Sequence, residues 1–107
     1  MIIKGETKQF VKMIEGAQRK TLAVGEKGLL GEFHLAKGAL LPVHSHPHEQ
    51  IGYLISGEMV FTIQGREYPV KPGDSWAIPG GVEHSAKVTQ DTVAIEVFVP
   101  VRQDYLD

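Results

Sequence analysis

The sequence predicts an all-β barrel or sandwich, and three observations carry that expectation. Twelve glycines and six prolines are spread along 107 residues, parting short apolar runs at near-regular intervals. No stretch sustains the period of an amphipathic helix. Where apolar residues repeat they alternate, as Met59, Phe61 and Ile63 do against Glu58, Val60 and Thr62. That is the period of a strand with one face in a core.

Taken in order, Met1 to Ala17 mix polar and apolar side chains without a clear period and are read as an edge strand or a short helical turn. Gln18 to Val24 and Leu29 to Leu35 are two strand-like runs parted by Gly25-Glu26-Lys27-Gly28, a glycine-bracketed loop of the hairpin kind. Leu41 and Val43 then lead into a strand carrying His44 and His46, and a second apolar run covers Ile51 to Ile55. Ser56-Gly57 is expected to turn the chain into Glu58 to Ile63, and Gln64-Gly65 to return it through Arg66 to Val70. Lys71-Pro72-Gly73-Asp74 turns again into Ser75 to Ile78, and Glu83 to Val88 and Val93 to Val99 complete the set.

The length suits one domain spanning 1–107, with the barrel over about 30–100 and N-terminal strands or an arm over 1–29. A net charge of -2 and the lack of any lysine or arginine run argue against a nucleic-acid or anionic-membrane surface. The absence of cysteine excludes a disulfide framework, a thiolate metal site and a cysteine nucleophile. MIIKGETKQF lacks the apolar core of a signal peptide, and no window is apolar for the length of a membrane span. The expectation is a cytoplasmic protein whose partner is a small molecule.

Chemistry concentrates in two stretches. In Gly38–Gly57, His44 and His46 lie two apart, so on a strand both imidazoles leave one face, and Gln50 follows at the head of the next run. In Gly73–Val88, His84 follows the turn-forming Pro79-Gly80-Gly81. Together they propose a metal site of three histidines and one glutamine, imidazole being the commonest metal ligand. Glu49 is read as solvated by parity, with a ligand role as the lesser option. His48 is read as exposed or as a neighbour of the ligands, and His34 stays outside the site. Glu96 is a lone carboxylate among six apolar residues on the face of Ala94 and Phe98, which makes it a candidate general acid or base. Arg102 is a candidate clamp for a substrate carboxylate, Phe98 a candidate wall for a ligand ring, and Tyr53, Tyr68 and Trp76 are read as packing residues.

The spacing Gly38, five residues, His44, one, His46, three, Gln50, six, Gly57 resembles the first motif of the cupin superfamily. Gly73, five residues, Pro79, one, Gly81, two, His84 resembles the second. Gln50 stands where many cupins carry glutamate, and Val88 where many carry asparagine. The resemblance implies a double-stranded β-helix with the site in its lumen. It also implies one divalent transition metal ion, with Zn, Mn, Fe, Ni, Co and Cu all open. The ending EVFVPVRQDYL, together with HSHPHEQ, resembles the small cupins of pectin degradation that convert unsaturated monouronates into open-chain keto acids. That likeness implies His44, His46, Gln50 and His84 on the metal, with Glu96, Phe98 and Arg102 around a carboxylate-bearing substrate. Glu96 is one methylene longer than the aspartate such proteins typically show there.

Parity adds one expectation about assembly. If Gln50 points inward with Gly52, Leu54 and Ser56, then Ile51, Tyr53 and Ile55 form an outward apolar set, which predicts a homodimer. The leading functional expectation is a metal-dependent isomerase or tautomerase acting on a sugar acid. An oxygen-dependent metal dioxygenase and a non-catalytic small-ligand-binding cupin are the alternatives, because one fold hosts many functions.

Overall fold

The computed structural model describes residues 1–107. The N-terminal stretch holds both elements expected as alternatives, a 3-10 turn at Gly5–Thr7 and a short strand β1 at Val11–Ile14. Seven more strands follow: β2 (Ala17–Val24), β3 (Leu29–Leu35), β4 (Leu40–His44), β5 (Glu49–Ile63), β6 (Arg66–Val70), β7 (Ser75–Ile78) and β8 (His84–Val99). A second 3-10 turn spans Gln103–Tyr105.

Every pairing is antiparallel. The first half of β5 pairs with β7 and with the second half of β8, which continues through β3 and β2 to β1. The second half of β5 pairs with β6 and with the first half of β8, whose other edge takes β4. Two sheets therefore face each other, and β5 and β8 run through both. Alternation does the rest: Leu29, Phe33, Leu54, Met59, Phe61, Ile78, Val88 and Phe98 point between the sheets and are buried. This is an all-β barrel, as the punctuation by glycine and proline predicted, and the double-stranded β-helix that the resemblance implied.

Four local expectations are corrected. Ser56-Gly57 does not turn the chain. β5 passes through it with register shifts against β8 between Leu54 and Met59, and Gly57 takes a positive φ of 94° within that irregular stretch. The irregularity also breaks parity, so Ser56 is exposed although Gln50, Gly52 and Leu54 are buried. The two runs Glu83 to Val88 and Val93 to Val99 are likewise one strand, because Thr89 to Asp91 stay extended between them. Finally, β4 ends at His44, and His46 lies just past it in the connection to β5.

Candidate metal centre

His44 ends β4 and His84 begins β8, and the two are cross-strand partners at the rim of one sheet. His46 lies in the loop that returns the chain to the other sheet. That loop is tied down where the Gly81 N–H donates to the His46 carbonyl at 2.8 Å, so the Pro79-Gly80-Gly81 turn of one stretch steadies a histidine of the other. The ring centroids lie 4.3 Å apart for His44 and His84, 5.1 Å for His46 and His84, and 5.6 Å for His44 and His46. One nitrogen from each lies within 4.8 Å of the others, a cluster able to hold a metal ion.

The tautomers follow from the backbone. His44 Nδ1 meets the Pro42 carbonyl at 2.7 Å, His46 Nδ1 the His48 carbonyl at 2.9 Å, and His84 Nδ1 the Val82 carbonyl at 2.9 Å. A carbonyl oxygen only accepts, so each Nδ1 carries the proton and each neutral ring keeps a lone pair on Nε2. Burial lowers the pKa of His46 and of His84 from the usual 6.5, which favours those neutral rings. His84 Nε2 is buried without a hydrogen-bond partner.

Gln50, buried at the start of β5, makes the same point from the other sheet. Its Nε2 donates to Glu96 Oε2, and since a carboxylate oxygen accepts, this contact fixes the amide with its carbonyl end towards the histidines. Gln50 Oε1 then lies 3.0 Å from His46 Nε2. With Nδ1 protonated, two lone pairs face each other across that distance. A cation resolves the conflict without a second proton on His46, so the donor chemistry fits a divalent metal ion.

Behind the histidines lies a buried acid. Glu96 of β8 is 8% exposed. Burial raises its pKa, opposed by the donors Gln50 and Trp76 and by the positive charge of Arg102. Trp76 of β7, expected to be only a packing residue, donates its Nε1–H to Glu96 Oε2 at 2.8 Å. The signal for it lay in the general tendency of a buried indole to find an acceptor.

The chain after β8 closes the same cavity, a space of about 90 Å³ bordered by His44, His84, Glu96, Phe98, Arg102 and Tyr105. Arg102 stacks over Phe98 at 5.0 Å and Tyr105 at 3.9 Å. Its Nε and Nη2 bind Asp104 at 3.1 and 2.7 Å, leaving Nη1 as the uncommitted corner of the fork. Phe98 is 1% exposed and packs edge-on to His46 with centroids 5.8 Å apart. A buried Arg19, not anticipated from sequence, ties this turn to β2 by binding both carboxylate oxygens of Asp107 at 2.8 and 3.0 Å.

Of the histidines left outside the cluster, His34 lies away from it, whereas His48 is a neighbour of His46, with ring centroids 5.6 Å apart. His34 meets Glu32 at 2.6 Å and tilts against Phe10. His48 contributes its carbonyl to His46, and Glu49 is exposed.

Such a site, a histidine cluster able to hold a metal ion at the mouth of a small double-stranded β-helix, defines a class of small antiparallel barrel. The chain belongs to the cupin domain family, whose pattern matches residues 31–100. It is 30% identical over 94 residues, 86% of each chain, to the pectin degradation protein KdgF of Dickeya dadantii. In structure it is similar to KdgF from a Halomonas species, with a TM-score of 0.92, 27% identity and coverage of 99% of this chain and 98% of that one. An RmlC-like cupin of Shewanella frigidimarina matches with a TM-score of 0.92, 28% identity and coverage of 98% and 95%. No helix is long and apolar enough to cross a membrane.

Proposed function

We propose that this protein is a metal-dependent enzyme of the isomerase type that converts an unsaturated or keto uronate into its open-chain keto acid. The observation that carries the reading is a cluster of three histidines whose members His44 and His84 border the same cavity as the buried carboxylate of Glu96, with Gln50 bridging His46 to that acid. The likeness to KdgF, a protein of pectin degradation, supports a uronate as substrate.

His44, His46, His84 and Gln50 are the residues that would hold a divalent transition metal ion, which when bound supplies Lewis acidity to a substrate oxygen. All four ligands are neutral, so none offsets the positive charge. Glu96 Oε1 accepts no hydrogen bond and is the atom free to move a proton. An isomerisation has no net proton balance, so the carboxyl that takes a proton from a substrate hydroxyl can return it to carbon. Arg102 offers Nη1 to the substrate carboxylate, and Phe98 forms the apolar wall beneath that guanidinium. The exposed outer set Ile51, Tyr53 and Ile55 supports a homodimer.

The test is the loss of ultraviolet absorbance when an unsaturated monouronate meets the metal-loaded protein. Bleaching faster than the buffer control is expected, and no bleaching with any of several divalent metals would sink the assignment.

A further inference from the structure

We propose that Trp76 is a positioning residue of the site. Its indole N–H fixes which oxygen of Glu96 is free, and through Glu96 it fixes which end of the Gln50 amide faces the histidines. The placement begins in the register. Trp76 of β7, Gly52 of β5 and Glu96 of β8 lie in one cross-strand row, so Trp76 and Glu96 are two strands apart with Gly52 between them. Side chains that far apart meet only if the residue between them is absent from the inner face. At Gly52 a Cβ would lie 2.3 Å from the indole Cε2 and Nε1, so the ring occupies the volume that any other residue would fill. The row continues to Gly31 of β3, opposite Glu96 on its other side, where the Phe33 ring takes the Cβ position at 2.9 Å. Glu96 is thus flanked across the sheet by two glycines, each roofed by an aromatic ring.

The consequence is a directional chain. Trp76 Nε1–H and Gln50 Nε2–H both donate to the same oxygen, Glu96 Oε2, while Oε1 accepts nothing and stays with the cavity. A carboxylate bonded twice on one oxygen cannot rotate that oxygen away without breaking both contacts. The orientation of Gln50 depends on it in turn, because only an acceptor at Oε2 holds the Nε2 end of the amide away from His46. Without Trp76 the carboxylate keeps one tether, and both the free oxygen and the amide are released to turn.

The chain has one tryptophan, so its single indole N–H resonance reports this contact directly in the metal-free protein. The inference rests on the metal-dependent reading for its Ni²⁺ and kinetic arms, while the indole resonance tests it independently of both. In the native protein that resonance is expected downfield and slow to exchange with solvent, and Glu96→Ala should move it upfield and speed exchange. Trp76→Phe keeps the ring but not the donor. It should weaken Ni²⁺ binding, followed by titration calorimetry, by roughly 10-fold, the lower end for loss of a residue supporting a ligand. If a uronate is turned over, kcat should fall by about as much with KM little changed. Gly52→Ala keeps the N–H but displaces the ring, and should reproduce the upfield shift and the loss of Ni²⁺ affinity. An indole resonance indifferent to Glu96→Ala, or a folded Trp76→Phe with native Ni²⁺ affinity, overturns the proposal whether or not any uronate reacts.

Discussion

The two walls of the cavity are built in opposite ways. On the metal wall, His44, His46 and His84 are each oriented by a carbonyl two residues away in the chain. On the acid wall, Glu96 is held by Gln50 and Trp76, which are 46 and 20 residues distant. The first wall needs only the local backbone to aim its ligands and sits at the rim, where His44 is exposed. The second exists only after β5, β7 and β8 have paired, and it is buried. Local orientation makes ligands tolerant of their surroundings, whereas long-range orientation makes an acid dependent on the whole sheet.

Single substitutions separate the walls. Glu96→Gln should lower the rate by about 10²- to 10⁴-fold, the usual contribution of a general acid or base, while Ni²⁺ binding persists. Metal binding survives because the new amide oxygen can still accept from Gln50 and Trp76. Equal loss of rate and metal affinity would show that the walls are one unit. His84→Ala should cut Ni²⁺ affinity by more than roughly 100-fold, beyond what removal of a supporting residue costs. It should leave the indole resonance of Trp76 in place, and a shifted resonance would break the separation.

The outer face of β5 serves as a control for both. Ile51→Lys with Tyr53→Lys should turn a dimer into a monomer by light scattering with Ni²⁺ affinity unchanged within about 2-fold, since neither side chain faces the cavity. A monomeric parent protein would remove the homodimer. The smallest effect is expected at the C-terminal turn. Hydrogen bonding to Arg19 lowers the pKa of Asp107 below its usual 3.8. A depressed carboxylate contributes stability above its unfolded pKa and loses it as pH falls through the folded one. Asp107→Asn should therefore lower Tm slightly at pH 7 and make no difference near pH 2. A constant difference across that range would mean that the Arg19 contact is not ionic.

The same contrast explains what could be read from sequence. His44, His46, Gln50 and His84 fall in short motifs that sequence spacing reveals, although only the three histidines are aimed by the local backbone, and the strand set followed from glycine and proline punctuation. The continuity of β5 through Ser56-Gly57 was hidden because an irregular strand and a turn use the same residues. Trp76 was read as packing because its partner lies two strands away, and only strand register reveals that Gly52 leaves the gap. Arg19 gave no signal, since Asp107, which it binds, is distant in the chain and exposed in composition.

Strands shared by both sheets also order the assembly of the site in time. The pairing of Ile63 with His84 closes a far shorter loop than that of Gln50 with Phe98, so the β5–β8 ladder is expected to zip from the histidine end towards the acid. Substitutions beside His84 should then slow folding, whereas those beside Glu96 should mainly speed unfolding. The wall that carries the acid is then expected to be the last made and the first to fray.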